Sequence, residues 1–131
     1  MTTFVDTSAW YALLDSADPH HDAAAEHWRA LLSAEPVLTH NYVLIETTAL
    51  VQRRLGIAAV ETFVNELSVP AAVVRIDGQL HERAVTALLA ARRRHISLVD
   101  WTSFEVMRQR TITSAFAFDD GFRARGFTVV P

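Results

Sequence analysis

The sequence predicts an α/β domain built on a mostly parallel sheet with both faces covered. Three observations carry this. Short apolar, β-rich runs alternate with longer stretches of helical periodicity along the whole chain. No two runs are joined by a tight hairpin signal, so the strands need crossover connections. Gly and Pro are sparse, at four each, and no linker, repeat or low-complexity segment interrupts the pattern, so residues 1–131 are expected to form one domain.

Taken in order, Thr2-Thr3-Phe4-Val5 reads as a buried strand, and Ser8 as the cap of a helix carrying Trp10, Leu13 and Leu14. Asp18-Pro19 breaks that pattern ahead of a helix over His20 to Ser33. Val37-Leu38-Thr39 is a second strand leading into a helix over Asn41 to Arg54, which Gly56 can end in a left-handed conformation. A further helix covers Ala58 to Leu67, Pro70 precedes a third strand over Ala71 to Ile76, and Asp77 caps a helix running toward Arg92. A helix over Val99 to Arg110, a strand over Ala115 to Phe118, a short helical turn and a last strand over Phe127 to Val130 complete the chain.

Half the residues are hydrophobic and 21% charged, a globular composition that argues against a disordered regulator. Without cysteine there is no disulfide framework, thiolate metal site or Cys nucleophile. The first residues lack the basic and long apolar segments of a signal peptide, and no run is long enough to span a bilayer, so the expectation is a cytoplasmic protein with no membrane partner. A net charge of −3 gives no overall field for nucleic acid, although all 12 Lys and Arg positions are arginine, whose planar fork suits phosphate. Lysine avoidance is equally explained by a GC-rich genome.

Four carboxylates are hard to explain by solubility. Asp6 follows the first strand, where ligands gather in open parallel sheets, although it can also cap the next helix. Glu46 shares a helix face with Val43 and Leu50, so its charge is partly buried and needs a cation, hydrogen bonds or an arginine partner. Asp100 fits a capping box with Ser97, usually built with Glu or Gln, and shares a face with Phe104 and Met107. Asp119 continues directly from the fourth strand, with Asp120 as the alternative ligand; Asp77 reads as a cap. Brought within about 5 Å, each pair repels by about 3 kcal/mol at an effective dielectric of roughly 20, which a hard divalent cation such as Mg²⁺ or Mn²⁺ would offset. His20-His21 lacks a third ligand at a recognisable spacing and reads as a solvated helix start rather than a zinc site.

The segments Phe4-Val5-Asp6-Thr7-Ser8-Ala9-Trp10-Tyr11-Ala12-Leu13, Asn41-Tyr42-Val43-Leu44-Ile45-Glu46-Thr47, Ser97-Leu98-Val99-Asp100-Trp101-Thr102-Ser103-Phe104 and Ala115-Phe116-Ala117-Phe118-Asp119-Asp120 resemble the four acidic motifs of PIN-domain ribonucleases, more narrowly the VapC-type toxins of bacterial toxin-antitoxin pairs. The resemblance implies a PIN-like three-layer fold with a five-stranded sheet. It also implies Asp6, Glu46, Asp100 and Asp119 clustered around Mg²⁺ or Mn²⁺, hydrolysis of RNA, a homodimer, and a VapB-like antitoxin covering the site. Two positions depart from the pattern: Gly121 stands where many relatives have His, and Trp101 where many have Cys.

The expected reaction is in-line attack of water on a phosphodiester, with Asp6 or Asp100 orienting or deprotonating the water. Ser8 and Ser103 are candidate supporting donors or plain helix-start hydroxyls. Arg92-Arg93-Arg94 can track an RNA backbone or complement a helix dipole, and Trp10, Tyr11 and Trp28 can stack bases or fill the core. Two other classes stay open: a non-catalytic RNA- or antitoxin-binding protein with a structural cation, and a phosphatase using Asp6 as nucleophile. The second is weakened by Ser8, where the common phosphatase pattern wants a second Asp.

Overall fold

The computed structural model describes residues 1–131. Five strands, β1 (Thr3–Val5), β2 (Val37–His40), β3 (Ala72–Val74), β4 (Ser114–Phe116) and β5 (Thr128–Val130), form one sheet in the order β3-β2-β1-β4-β5. Every pairing is parallel. All residues of β1, β2 and β4 are buried, so both faces of the central sheet are covered, whereas Ala72 and Val73 of the β3 edge remain exposed. Seven helices connect the strands: α1 (Thr7–Leu14), α2 (His21–Ala34), α3 (Asn41–Leu55), α4 (Ile57–Thr62), α5 (Gly78–Ala91), α6 (Leu98–Gln109) and α7 (Gly121–Ala124).

The winding direction reverses between β1 and β4. From β1 the chain builds β2 and β3 to one side, and then returns to place β4 and β5 on the other. The crevice beyond the carboxyl ends of β1 and β4 is where such a sheet opens for a ligand. Asp6 N–H bonds the Phe116 carbonyl over 3.1 Å and so fixes the end of β1 against the end of β4.

Several boundaries differ from the sequence expectation for local reasons. Asp6, not Ser8, caps α1: its carboxylate accepts the Ser8 N–H. The third strand stops at Val74 because its pairing with β2 ends at His40, after which the Asn41 side chain takes the Ile76 N–H over 2.8 Å. The expected Ala58–Leu67 helix starts at Ile57 and changes after Thr62 into a π-helical turn, Phe63–Leu67, whose first residue is buried. Gly56 ends the helix as expected, but with φ +92° and ψ 179°, an extended positive-φ conformation rather than the left-handed helical one. The fourth strand ends at Phe116, three residues short of Asp119, where its pairing with β5 ends at Val130.

The core is aromatic. Trp10 packs edge-on against Trp28 at 5.2 Å and Phe63 at 5.5 Å, so both tryptophans serve packing. Around β1 and β4 lie Phe4, Phe104, Phe116 and Phe122, all fully buried. Each such pair adds about 0.5–1.5 kcal/mol beyond the area it buries. Tyr11 instead faces outward, donating to Asp15 over 2.6 Å beneath the Arg54 guanidinium. His20 and His21 are not simply solvated: His20 stacks on Phe118 at 4.4 Å, and His21 Nδ1 donates to the Ala12 carbonyl over 2.7 Å.

Candidate active site

Asp6 sits at the strand crossover and is 4% exposed. Its Oδ2 accepts both the Ser8 N–H (3.1 Å) and the Ser8 hydroxyl (2.7 Å), while Oδ1 takes no hydrogen bond from the chain. Burial is the main reason its pKa rises to about 7; the Ser8 hydroxyl opposes this, and the charges of Asp100 and Asp119 add to it. The Ser8 oxygen in turn accepts the Phe118 N–H over 2.9 Å, so one hydroxyl ties Asp6 to the segment that carries Asp119.

Asp100 stands in the first turn of α6, and the capping box forms with Asp as its third residue: Ser97 Oγ accepts the Asp100 N–H, and Asp100 Oδ2 accepts the Ser97 N–H over 3.0 Å. Asp100 is half-buried, and burial again leads in raising its pKa, with Asp119 and then Glu46 adding repulsion. Asp119 is exposed and turns Oδ1 onto the Gly121 N–H at 2.8 Å. A Cβ on residue 121 would stand 3.3 Å from that oxygen, so the glycine allows the carboxylate to fold over its own turn. Asp120 stands at the rim of the same cleft, fully exposed and paired with Arg123 at 3.6 Å.

Asp100 and Asp119 line a cleft of about 790 Å³ together with Ser8, Arg93, His95 and Arg125. Asp6 lies beneath Ser8, electrostatically coupled to both acids. Glu46 is half-buried without an arginine partner and reaches this group only through Asp100. The acids are looser than the expected cluster, and no three acidic or imidazole side chains stand ready to enclose an ion. The reason is local: Asp6, Asp100 and Asp119 each give one oxygen to a nearby donor. Each keeps the other oxygen uncommitted, and carboxylate oxygens of this kind suit a hard divalent cation.

The supporting residue that the sequence did not reveal is His40. It ends β2, caps α3 and is fully buried. Its Nδ1 accepts the Val43 N–H over 3.2 Å, so the proton of the neutral ring is on Nε2, which donates to Ser103 Oγ over 2.8 Å. Ser103 passes the chain on to the Val99 carbonyl over 2.9 Å. Burial holds His40 neutral, with its pKa lowered to about 3. Ser103 therefore supports the helix of Asp100 through His40. The one sequence signal was a histidine at a strand-to-helix junction, where a capping acceptor belongs.

A sequence model of the PIN domain matches residues 3–127. The 23S rRNA-specific endonuclease VapC20 of Mycobacterium tuberculosis, from strains CDC 1551 and H37Rv alike, is 41% identical over 128 residues, covering 97% of this chain and 96% of the relative. The crystal structure of M. tuberculosis VapC20, described as a sarcin-ricin loop cleaving toxin, superposes over 100% of both chains with a TM-score of 0.89 and 38% identity. VapBC2 of Rickettsia felis, solved on a promoter DNA fragment, shares the fold at a TM-score of 0.73 and 10% identity, over 98% of this chain and 97% of that one. With its acid-bearing elements in the same order as the motifs, and likeness along its whole length, the chain belongs to the PIN-domain family, in its VapC group.

Proposed function

We propose that this chain, as one domain over residues 1–131, is a divalent-metal-dependent endoribonuclease and the toxin of a type II toxin-antitoxin pair, with Asp6, Glu46, Asp100 and Asp119 as its site. The observation that carries the reading is the convergence of acids at the carboxyl end of the sheet: Asp100 and Asp119 line one cleft, and the Ser8 hydroxyl that lines it with them ties buried Asp6 to the segment carrying Asp119. Whole-length similarity to a 23S rRNA-specific endonuclease supports RNA as the substrate and ribosomal RNA as the first to test. Membership of the VapC group supports a VapB-like antitoxin and a homodimer. No helix is long and apolar enough to cross a membrane.

The uncommitted oxygens of Asp6, Asp100 and Asp119, together with Glu46, would hold Mg²⁺ or Mn²⁺, which would supply Lewis acidity toward the phosphate and a lowered pKa for the attacking water. The protein's own part is positional. Asp6, fixed by Ser8 and by the β1–β4 crossover, has its carboxyl pKa raised to about 7 by burial in the metal-free protein, and is suited to orient the nucleophilic water. Asp100 is positioned by its capping box, and Asp119 by the Gly121 N–H of its own turn. His40 is too buried and too weakly basic to act as the acid or base.

The test is cleavage of 23S rRNA by purified protein with Mg²⁺, Mn²⁺ or a chelator, in wild type and Asp100→Asn. Asparagine keeps an oxygen for the Ser97 N–H, so the helix start should survive. Loss of cleavage by at least about 100-fold with an unchanged circular dichroism spectrum supports the mechanism. Cleavage that persists in chelator, or full activity in Asp100→Asn, refutes it.

A further inference from the structure

The cleft that carries Asp100 and Asp119 is walled on another side by cations. Arg125, the residue that ends α7, lies with Cζ 4.3 Å from the centre of the Trp101 ring. That residue is only 4% exposed: its ring packs edge-on against Phe104 at 5.5 Å, which is itself packed against Phe122 at 5.2 Å and Phe127 at 6.0 Å. The Trp101 N–H is buried without a partner, so stacking rather than hydrogen bonding sets the place of the indole.

The Arg125 guanidinium makes no ion pair, although three aspartates line the same cleft. Arg123 and Arg108, by contrast, have carboxylate neighbours at 3.6 and 3.7 Å. An arginine fixed by stacking has surrendered much of its side-chain entropy before any ligand arrives, and its five donors remain unspent. The overall charge of −3 and the acids of the cleft repel an RNA backbone, so attraction must come from local cations. A planar fork beside the acids matches a phosphate bidentately. Arg93 lines the same cleft from the turn that follows Arg92, whose φ of +53° redirects the chain at the end of α5.

We propose that Arg125, held on the Trp101 platform, is the residue that positions an RNA phosphate flanking the one that is cut, with Arg93 as a second cationic contact. The assignment rests on the nuclease reading and adds to it the contact that sets substrate register. Trp101 is a positioning residue, acting only through Arg125.

The test measures binding to an Asp100→Asn protein, so that RNA is held but not cut, over a series of salt concentrations. The probes are a hairpin bearing the 23S rRNA sarcin-ricin loop and a uridine homopolymer. Arg125→Gln should weaken both by about 5- to 20-fold and lower the slope of log affinity against log salt by about 0.7–0.9, the loss of one phosphate contact. Arg125→Lys should keep the slope and recover only part of the affinity. Trp101→Leu should lose affinity with the slope retained, and Trp101→Phe, which keeps a π face, should restore it. In the active protein Arg125→Gln should raise KM more than it lowers kcat. Melting temperatures verify folding, and Arg93→Gln, remote from the aromatic platform, should show a smaller loss of the same kind.

A folded Arg125→Gln protein with unchanged affinity and slope overturns the assignment, as does one that loses antitoxin binding alone. If wild type cuts RNA and Arg125→Gln cuts it equally well, only the Arg125 assignment falls. If wild type neither binds nor cuts RNA, the nuclease reading falls first and takes the assignment with it.

Discussion

His40 Nε2 donates to Ser103 Oγ across 2.8 Å of fully buried space, joining the strand end that caps the Glu46 helix to the helix that carries Asp100. The bond makes the spacing of two acids a property of the core. His40→Ala would leave the Val43 N–H and the Ser103 hydroxyl without this partner and open a cavity beside Phe4, which stacks on the imidazole at 5.6 Å. We expect a loss of about 2–4 kcal/mol in denaturant unfolding, together with reduced RNA cleavage in the folded fraction. A stable, fully active His40→Ala protein would show that the tie is dispensable.

This bond also marks where sequence reading stopped. The acids were legible because each stood beside an apolar run or at a strand end, and the alternation of strands and helices gave the parallel sheet. His40–Ser103 spans 63 positions, and no local pattern announces a partner that distant. Asp100 was readable as a capping residue and as a cleft residue, and the structure gives it both positions, since one oxygen caps while the other stays free. The placement of Asp119 was misread as a strand end because apolar Ala117 and Phe118 continue the β-like pattern, whereas pairing stops where β5 ends. Arg125 escaped notice because its meaning depends on Trp101, 24 positions earlier, which brings no charge of its own.

Ser8→Ala should damage the site more than the fold. The hydroxyl is the shorter of two bonds to Asp6 and the acceptor for the Phe118 N–H. Without it Asp6 loses an interaction that favours its charged form, so its pKa rises beyond about 7. The acidic limb of the rate against pH should move to higher pH, and cleavage at neutral pH should fall by about 10-fold. An unshifted limb would remove Asp6 as the group being titrated.

Removing the Asp6 charge should stabilise the metal-free protein, but only above a defined pH. With its folded pKa near 7 and the ordinary carboxyl value of 3.8 in the unfolded chain, folded Asp6 keeps a proton that the unfolded chain has already released in between. Its contribution is therefore whole below about pH 4 and drains away as pH rises to about 7, by roughly 4 kcal/mol at most. His40 acts oppositely: lowered to about 3, it withholds a proton that the unfolded chain binds, so its contribution is whole above about pH 6.5 and is lost as pH falls toward 3. The two slopes largely cancel in wild type across the overlap. Asp6→Asn, measured by melting in chelator, should match wild type near pH 4 and exceed it increasingly up to about pH 7.5. Equal melting temperatures at both ends would mean that burial of Asp6 carries little penalty.

Divalent metal should reverse that penalty, with a pH dependence fixed by the same proton. A cation that binds the folded site stabilises by RT ln(1 + [L]/Kd), about 2.7 kcal/mol at a hundredfold excess over Kd. At about pH 6 most Asp6 is protonated and the ion must displace the proton, so binding is weaker; near pH 8 the carboxylate is already charged and repelled by Asp100 and Asp119. The rise in melting temperature with Mn²⁺ or Mg²⁺ should thus be clearly larger at pH 8 than at pH 6. Asp119→Asn should reduce that rise, because it withdraws an oxygen charge from the cleft mouth while leaving the Gly121 turn an acceptor. Asp120→Asn, whose carboxylate faces Arg123, should leave the rise as it is. Equal metal shifts in all three proteins would place the ion outside these acids and return the cluster to a purely structural role.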